Sequence, residues 1–247
     1  MTPWQALQQE LDLWHTPATF WWRDDDAIEP SAALDRLLAI TGQHDIDLSL
    51  AVIPALCTEA LARRLGTEPR AWVLQHGYDH RAYAAPGERK RELGGPRPRD
   101  EILQQLRTGR QRLAQLFGPQ ALDILVPPWN RIDADLLPLL PGLGYRRLSV
   151  LGPRPAEPVG PLQINVHIDI IDWQARRFAG TDLVLKRIIA NLEARRLGRV
   201  DASEPCGLMT HHLDHDPACW AFLEQLTHTL AASPQVRWIE GSALPTA

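Results

Sequence analysis

The feature that most constrains the fold is the alternation of short apolar runs with amphipathic stretches of helical length along the chain. Runs of this length and composition are typical of buried strands, and capped helical segments follow many of them. Strands that alternate with helices favour a parallel β/α architecture. The predicted strands cover residues 19–24, 47–54, 71–75, 123–126, 147–151, 162–168, 207–210 and 236–239.

The chain has 247 residues, 45% hydrophobic and 23% charged, and these values exclude a disordered or fibrous protein. This length suits one α/β barrel, so we expect a single domain over residues 1–247. The net charge of −4 argues against a nucleic-acid partner. The N-terminus lacks the pattern of a signal peptide, and no apolar stretch is long enough to span a membrane. We therefore expect a cytoplasmic protein without a membrane partner.

The first acidic cluster follows the first predicted strand, where the sequence reads Arg23-Asp24-Asp25-Asp26. Consecutive carboxylates repel one another, and a bound cation at the end of the strand would relieve that repulsion. A helix N-terminus with surplus acidic residues is the alternative interpretation. This end of a parallel strand is also where such folds bind ligands.

Two histidines, His76 and His80, follow the third predicted strand. Their spacing allows a single turn or a tight loop to bring both imidazoles to one metal ion. Pairs at this spacing also occur by chance. Two imidazoles and one carboxylate would leave an open coordination position on zinc, which lowers the pKa of a bound water to about 7.

Residues 81–99 are rich in Gly, Pro and Arg and show no apolar period, which predicts a long loop over one end of the sheet. The fourth predicted strand ends at Pro127-Pro128-Trp129-Asn130. Trp129 would supply a flat wall for a sugar ring, although a buried tryptophan that closes the barrel is an equal alternative.

Two further polar segments follow later strands. Asp169, Asp172 and Trp173 combine two carboxylates with an indole. His211, His212 and His215 follow the run at 207–210, and they predict a second metal cluster, a general acid or simply exposed loop histidines.

Taken in order, these segments resemble the polysaccharide deacetylases, the chitin and peptidoglycan deacetylases of carbohydrate esterase family four. That family has an Asp-Asp pair, a His-x-x-x-His, an Arg-x-Pro-aromatic-Gly, an Asp-x-x-Asp-Trp and a Leu-x-His, in this order. The resemblance implies a distorted (β/α) barrel with about seven parallel strands. The corresponding segments here are Asp25-Asp26, His76 with His80, Pro128-Trp129, Asp169 with Asp172-Trp173, and Met209-Thr210-His211.

The resemblance implies a divalent metal bound by Asp26, His76 and His80. Zinc suits this ligand set, with cobalt, nickel or manganese as alternatives. The run of three aspartates leaves open whether Asp24 and Asp25 serve instead as the base and ligand pair.

The resemblance also implies catalytic roles. Asp25 would take a proton from the attacking water, His211 would protonate the leaving nitrogen, and Asp169 would orient His211 or stabilise its charge. A backbone amide near Tyr78 or Trp129 would support the developing oxyanion. Together with Asn130 and Trp173, these two aromatic residues are the predicted substrate-binding residues.

Two positions depart from the family pattern. Val126 stands where the family has the arginine that holds the base aspartate, so either Arg23 or Arg131 would have to reach Asp25. Asn130 stands where the family has glycine. These departures bear on the substrate more than on the metal.

The favoured function is a metal-dependent hydrolase of an amide, an N-acetyl group on a small saccharide or a related acylated metabolite. A small substrate follows from the missing export signal, and the oligomeric state stays open. A catalytically degenerate protein that binds a sugar or metabolite is one alternative. A glycosidase with paired carboxylates, such as Asp25 and Asp169, is the other.

Overall fold

Strands and helices alternate along the chain in the computed structural model, which describes residues 1–241. The strands run parallel in one sheet, apart from a short hairpin. The elements are α1 (Pro3–Asp12), β1 (Ala18–Ala27), α2 (Ala32–Gly42), β2 (Leu48–Val52), α3 (Glu59–Leu65), β3 (Ala71–His76), α4 (Arg99–Phe117), β4 (Ala121–Val126), β5 (Arg147–Leu148), β6 (Leu162–Gln163), β7 (Ile168–Asp169), β8 (Ile171–Asp172), β9 (Arg177–Phe178), α5 (Thr181–Arg196), β10 (Cys206–Thr210), α6 (Pro217–Ala231) and β11 (Val236–Trp238). Short 3-10 helices lie at Gly118–Gln120, Pro128–Asn130, Ala134–Leu139, Pro141–Leu143 and His212–Asp214.

The sheet has the order β6-β5-β4-β3-β2-β1-β10-β7, and β11 adds to the start of β1. Its two ends belong to the same stretch of chain. Residues 162–163 pair with β5, Val166 bridges Leu151, and residues 168–169 pair with β10. The segment predicted as one strand therefore forms two, and it crosses the open side of the sheet to make a distorted barrel. This confirms the predicted fold.

Helix caps explain where several helices begin. The Ser31 hydroxyl accepts a hydrogen bond from the Leu34 amide, and the Thr58 hydroxyl accepts one from the Leu61 amide. Asp216 caps α6, whose first residue is Pro217. Each cap satisfies an amide that the helix itself leaves unpaired, typically stabilising the helix by about 1 kcal/mol.

The core lies between the sheet and its helices. Phe20, Trp21 and Trp22 on β1 are at most 2% exposed, and they pack in the centre of the sheet. Because β1 has neighbours on both sides, its residues are buried on both faces up to Asp25. Such a strand places polar side chains in a dry environment at its carboxyl end.

The structure also differs from the sequence prediction. The helix α1 and the β8–β9 hairpin were not predicted. The segment Ala134–Leu139 forms a 3-10 helix, because Pro138 lies inside it and cannot donate an α-helical hydrogen bond. Within residues 1–241 every helix is too short or too polar to cross a bilayer.

Candidate metal centre and active-site cleft

A cleft of about 640 Å³ opens at the carboxyl ends of the central strands. In parallel α/β folds this is the end where ligands bind, because the loops that follow the strands converge there. Most of the side chains singled out in the sequence line it, and they are Asp25, Asp26, His76, His80, Asp169 and His211.

The pleat of β1 separates the three aspartates. Side chains alternate along a strand, so Arg23 and Asp25 share one face while Asp24 lies on the other. Asp24 is fully buried and accepts hydrogen bonds from the Thr210 hydroxyl and the His212 amide, at 2.6 and 3.0 Å. Burial opposes its charge, but His212 holds the pKa of Asp24 below its usual range. These bonds occupy Asp24 away from the cleft, which favours Asp25 and Asp26 as the base and ligand pair.

A bulge brings the next carboxylate into the cleft as well. The pairing of β1 with β2 shifts register between Asp24 and Ala27, and Asp26 takes the left-handed conformation with φ of 71°. A bulge of this kind changes the direction of a side chain. Asp25 and Asp26 therefore both line the cleft, although they are adjacent in the chain.

Three potential ligand atoms converge beside this bulge. Asp26 Oδ1 lies 3.2 Å from His76 Nε2 and 3.3 Å from His80 Nε2. It is buried and accepts no hydrogen bond from the residues at 1–241. All three ligand atoms lie within 4.8 Å of one another, and this is the one such group among the described residues. An unpaired buried carboxylate oxygen that faces two imidazoles fits a divalent cation.

Hydrogen bonding and charge also prepare the histidines. His76 Nδ1 lies 3.0 Å from the Val126 carbonyl oxygen, which can only accept, so Nδ1 carries the proton and Nε2 is free for a ligand. Burial and the neighbouring His76 lower the pKa of His80, which favours its neutral form. Burial would raise the pKa of Asp26, but His76 and His80 lower it well below its usual range.

Glu92, from the long loop after β3, holds the backbone of the histidine segment. Its side chain is fully buried, and its two oxygens accept hydrogen bonds from the amides of Tyr78, Asp79 and His80 at 2.6, 3.2 and 2.9 Å. His80 has φ of 56°, a conformation that costs energy for a residue with a side chain. The Glu92 carboxylate stabilises this conformation, and it occupies the Tyr78 amide that was a predicted oxyanion donor.

Arg23 supplies the cation that the family pattern has at the position of Val126. Its Nε and Nη2 atoms donate to the two oxygens of Asp25, both at 2.8 Å, and Nη2 also donates to Asn130 Oδ1 at 2.7 Å. Nη1 donates to the Ser149 hydroxyl at 2.7 Å. Each nitrogen of the guanidinium therefore donates to an acceptor, and these hydrogen bonds stabilise the buried charge. Of the two arginines considered from the sequence, Arg23 is the one that reaches Asp25.

His211 lies on the other side of Asp25, with its Nε2 4.0 Å from Asp25 Oδ2. Trp173 packs edge-on against the His211 ring with centroids 4.6 Å apart. The Trp173 indole donates to Asp169 Oδ2 at 2.7 Å, and the Ile171 amide donates to Oδ1 at 2.9 Å. Burial raises the pKa of Asp169. Asp169 therefore reaches His211 through Trp173, since no ion pair joins the two among the described residues.

The cleft walls carry Trp129 and Asn130, consecutive residues that both have φ of 55°. The Trp129 ring lies 4.6 Å from the His80 ring. Trp173 borders the cleft and is 45% exposed, so its indole is open to a ligand. Tyr78, a predicted substrate-binding residue, is half-buried and is not among the residues that line the cleft. Strained backbone at five cleft residues, including Asp26 and His80, is typical of functional sites.

The sequence left the roles of His212 and His215 open. His212 Nδ1 bonds to Asp24, and His215 packs edge-on against Trp220 with centroids 4.5 Å apart. Neither residue belongs to the lining of the cleft.

Asp172 caps the hairpin turn by accepting hydrogen bonds from the Gln174 and Ala175 amides.

Comparison with known proteins was made by sequence and by structure. No family model and no curated protein matches the sequence. Solved structures do match. A peptidoglycan N-acetylglucosamine deacetylase, Bc1960, shares 14% identity over 94% of this chain and 90% of its own, with a TM-score of 0.62. The Streptomyces lividans family 4 carbohydrate esterase, solved with acetate, shares 17% over 87% and 88%, with a TM-score of 0.56.

This chain has the fold of the family 4 carbohydrate esterases. A family 4 acetyl xylan esterase from Clostridium thermocellum, solved with a cobalt ion, agrees at a TM-score of 0.51, with 13% identity over 90% of this chain and 87% of its own. The resemblance seen in the sequence is therefore confirmed at the level of the fold. Within this esterase fold, the cleft described above occupies the carboxyl end of the barrel.

Proposed function

We propose that this protein is a metal-dependent hydrolase that removes an N-acyl group, in the first place an N-acetyl group, from a small saccharide or a related acylated metabolite. One observation carries the proposal. A carboxylate held in place by Arg23, a convergent group of three ligand atoms and a buried histidine all face one cleft. The fold shared with deacetylases and esterases supports the same class of reaction.

The metal would be held by Asp26, His76 and His80. These residues fit a divalent cation because Asp26 Oδ1 is buried without a donor and His76 presents its free Nε2. When bound, such a cation polarises a carbonyl oxygen and makes water more acidic. Zinc is the proposed ion, with cobalt, nickel and manganese as alternatives, because imidazole and carboxylate ligands accept each of them.

Two residues of the chain, Asp25 and His211, then carry out the proton transfers. Asp25 accepts the proton of the attacking water, and Arg23 keeps the carboxylate oriented during the step. His211 gives a proton to the nitrogen that leaves. Trp173 packs against His211 and is held by Asp169, so these two residues position the acid. The Trp129 and Trp173 rings offer flat faces to a sugar ring.

The alternative of a degenerate binding protein rested on the missing family arginine. Arg23 removes that reason, since it holds Asp25 in two hydrogen bonds. A glycosidase would use Asp25 and Asp169, but Asp169 already accepts hydrogen bonds from Trp173 and Ile171, and the histidines would be left without a role.

A single catalytic domain over residues 1–247 and a cytoplasmic location remain predictions.

Two measurements test the function. Purified protein should contain or take up about one equivalent of zinc, cobalt, nickel or manganese, and it should release acetate from N-acetylated saccharides. The Asp25→Asn variant should keep the metal and lose hydrolysis, whereas the variants His76→Asn and His80→Asn should lose the metal itself. Absence of stoichiometric metal after supplementation would refute the metal site. Reducing-sugar release without acetate would favour the glycosidase instead.

A further inference from the structure

A basic rim, defined here as Arg89, Lys90 and Arg131, borders the cleft on the side of Trp129. Two separate segments form it. Lys90 belongs to the long loop before α4, and Arg131 follows the 3-10 helix after β4. Arg131 Nη1 donates to the Lys90 carbonyl oxygen at 2.9 Å, which joins the two segments. Both Lys90 and Arg131 line the cleft.

The basic rim lies close to His80, one of the proposed metal ligands. Lys90 Nζ is 5.8 Å from the centroid of the Trp129 ring, and the same ring is 4.6 Å from the ring of His80. A ligand that stacks on Trp129 therefore contacts the surroundings of the metal ligands and the ammonium group together.

The positive charge of the rim has no acidic partner in the described part of the chain. No carboxylate within residues 1–241 lies within 4.0 Å of a nitrogen of Lys90, Arg89 or Arg131, whereas the adjacent Arg91 pairs with Asp133 at 3.0 Å. Burial and the positive charges of Arg89 and Arg91 lower the pKa of Arg131.

The carboxylates of the cleft are already engaged elsewhere. Asp25 is bound by Arg23, Asp26 faces the two imidazoles, and Asp169 accepts from Trp173. Arg176, the remaining cation of the cleft, lies 3.8 Å from Asp214. Among the lysine and arginine side chains that line the cleft, Lys90 and Arg131 are therefore the two without a carboxylate within 4.0 Å among residues 1–241.

We infer that the substrate carries an anionic group, a phosphate or a carboxylate, in addition to the acyl group that is hydrolysed, and that Lys90 and Arg131 bind this anion. The inference rests on the proposed function for the hydrolysis, but the anion site itself stands on the geometry of the rim. Guanidinium and ammonium groups bind phosphate and carboxylate through charge-assisted hydrogen bonds. A neutral saccharide offers these groups only uncharged acceptor oxygens, which form weaker hydrogen bonds.

The test compares substrates that differ in charge. The panel is N-acetylglucosamine, its 1-phosphate, its 6-phosphate and N-acetylmuramic acid, which carries a carboxylate. Metal-loaded protein should give kcat/KM about tenfold higher for one or more anionic members than for N-acetylglucosamine, the equivalent of about 1.4 kcal/mol. The phosphates and N-acetylmuramic acid distinguish the two sources of negative charge. Added potassium chloride should reduce the preference.

The variant Lys90→Met/Arg131→Gln removes the two charges of the rim that line the cleft and leaves Arg89 in place. It should bring the anionic-to-neutral ratio of kcat/KM close to one, and because the ratio is taken within one protein, a general loss of activity does not alter it. The control Lys186→Met/Arg237→Gln removes two exposed charges outside the cleft lining and should keep the preference. Equal rates in the unmodified protein, or a preference that survives in the rim variant, overturn the inference.

A binding measurement separates this inference from the proposed function. Calorimetric titration of the metal-free protein with the same four saccharides needs no turnover. Tighter binding of an anionic member, lost in Lys90→Met/Arg131→Gln, supports the anion site even if no member is hydrolysed, and that outcome counts against the hydrolase. Hydrolysis with no difference in rate or affinity supports the hydrolase and overturns the anion site. Equal or undetectable binding of all four members, together with no hydrolysis, overturns both for this panel.

Discussion

Arg23 and Asp25 lie two residues apart on β1 and form a bidentate ion pair in which neither side chain is more than 3% exposed. The pleat of the strand makes this pair possible, because residues i and i+2 lie on the same face. The cation that holds the proposed base thus comes from the same strand as the base. In the family pattern it would come from the position of Val126, on β4.

Replacing Arg23 by Met should lower both stability and activity. The substitution leaves Asp25 as a buried carboxylate without its cation, a change that typically costs about 3–5 kcal/mol. Urea denaturation measures the free energy of unfolding. The double variant Arg23→Met/Asp25→Asn should regain much of that stability and stay inactive, since the base is gone. Arg36→Met, which breaks an exposed pair with Glu224, should cost under about 1 kcal/mol. Full activity in Arg23→Met would contradict the assigned role of the pair.

Replacing Glu92 by Gln should weaken metal binding without abolishing it. Gln offers one acceptor oxygen where Glu92 uses two for three backbone amides, so the segment that carries His80 loosens. Residues that support metal ligands typically contribute about 10–100-fold in affinity. Competition with a chelator measures the dissociation constant. Glu88→Gln changes an exposed carboxylate of the same loop and should leave it unchanged. An unaltered affinity in Glu92→Gln would show that the loop holds His80 by other means.

Gly77→Ala should destabilise the fold strongly. Gly77 has φ of 52°, and an added Cβ would lie 2.4 Å from Glu92 Oε2 and 2.6 Å from Pro128 Cγ. Left-handed backbone and forced overpacking together cost about 2–5 kcal/mol. Gly118→Ala is the matched control, because Gly118 has φ of 54° but open space around it, so it should show the backbone cost alone. Equal losses in thermal denaturation of the two variants would exclude a steric constraint at Gly77.

His215 should make stability fall at acidic pH. Burial lowers its pKa to about 4 from an ordinary value of 6.5. Between these values the unfolded chain binds more protons, so the free energy of unfolding decreases as the pH falls from about 6.5 to about 4. His215→Leu removes this contribution, and its stability relative to the unmodified protein should rise by about 2 kcal/mol from pH 7 to pH 4.5. His228→Gln, at an exposed position, should show no such change. A difference that is constant with pH would place the proton uptake elsewhere.

The alternation of apolar runs and helices predicted the barrel because burial on both strand faces leaves a clear apolar pattern. It could not show that residues 162–168 divide between two edges of the sheet, since this depends on where β5 and β10 lie in space. The helix α1 was not predicted, although Thr2 and Gln5 form a capping box at its start and Pro3 is its first residue. Recognising that box before the apolar residues would have found it.

The candidate site could be predicted where it follows strand ends, as for Asp26, His76 and His80. The pleat places both Asp24 and Asp26 opposite to Asp25, so the choice among the three aspartates required the bulge that turns Asp26 into the cleft, and this bulge leaves no sequence signal. Glu92 could not be found, since a charged residue in a Gly- and Pro-rich loop usually faces solvent. The link from Asp169 to His211 through Trp173 required the actual side-chain positions.

Asn130 combines a φ of 55° with a side-chain oxygen that accepts from Arg23 at 2.7 Å. Asparagine tolerates this backbone conformation better than most residues, so it can occupy the position of the family's glycine and also offer an acceptor. The contact between Arg23 and Asn130 predicts that the two exchanges occur together, because asparagine offers the arginine on β1 a side-chain acceptor that glycine lacks. Relatives with an arginine at position 23 should carry asparagine or another short acceptor at position 130, and the two traits should be inherited together.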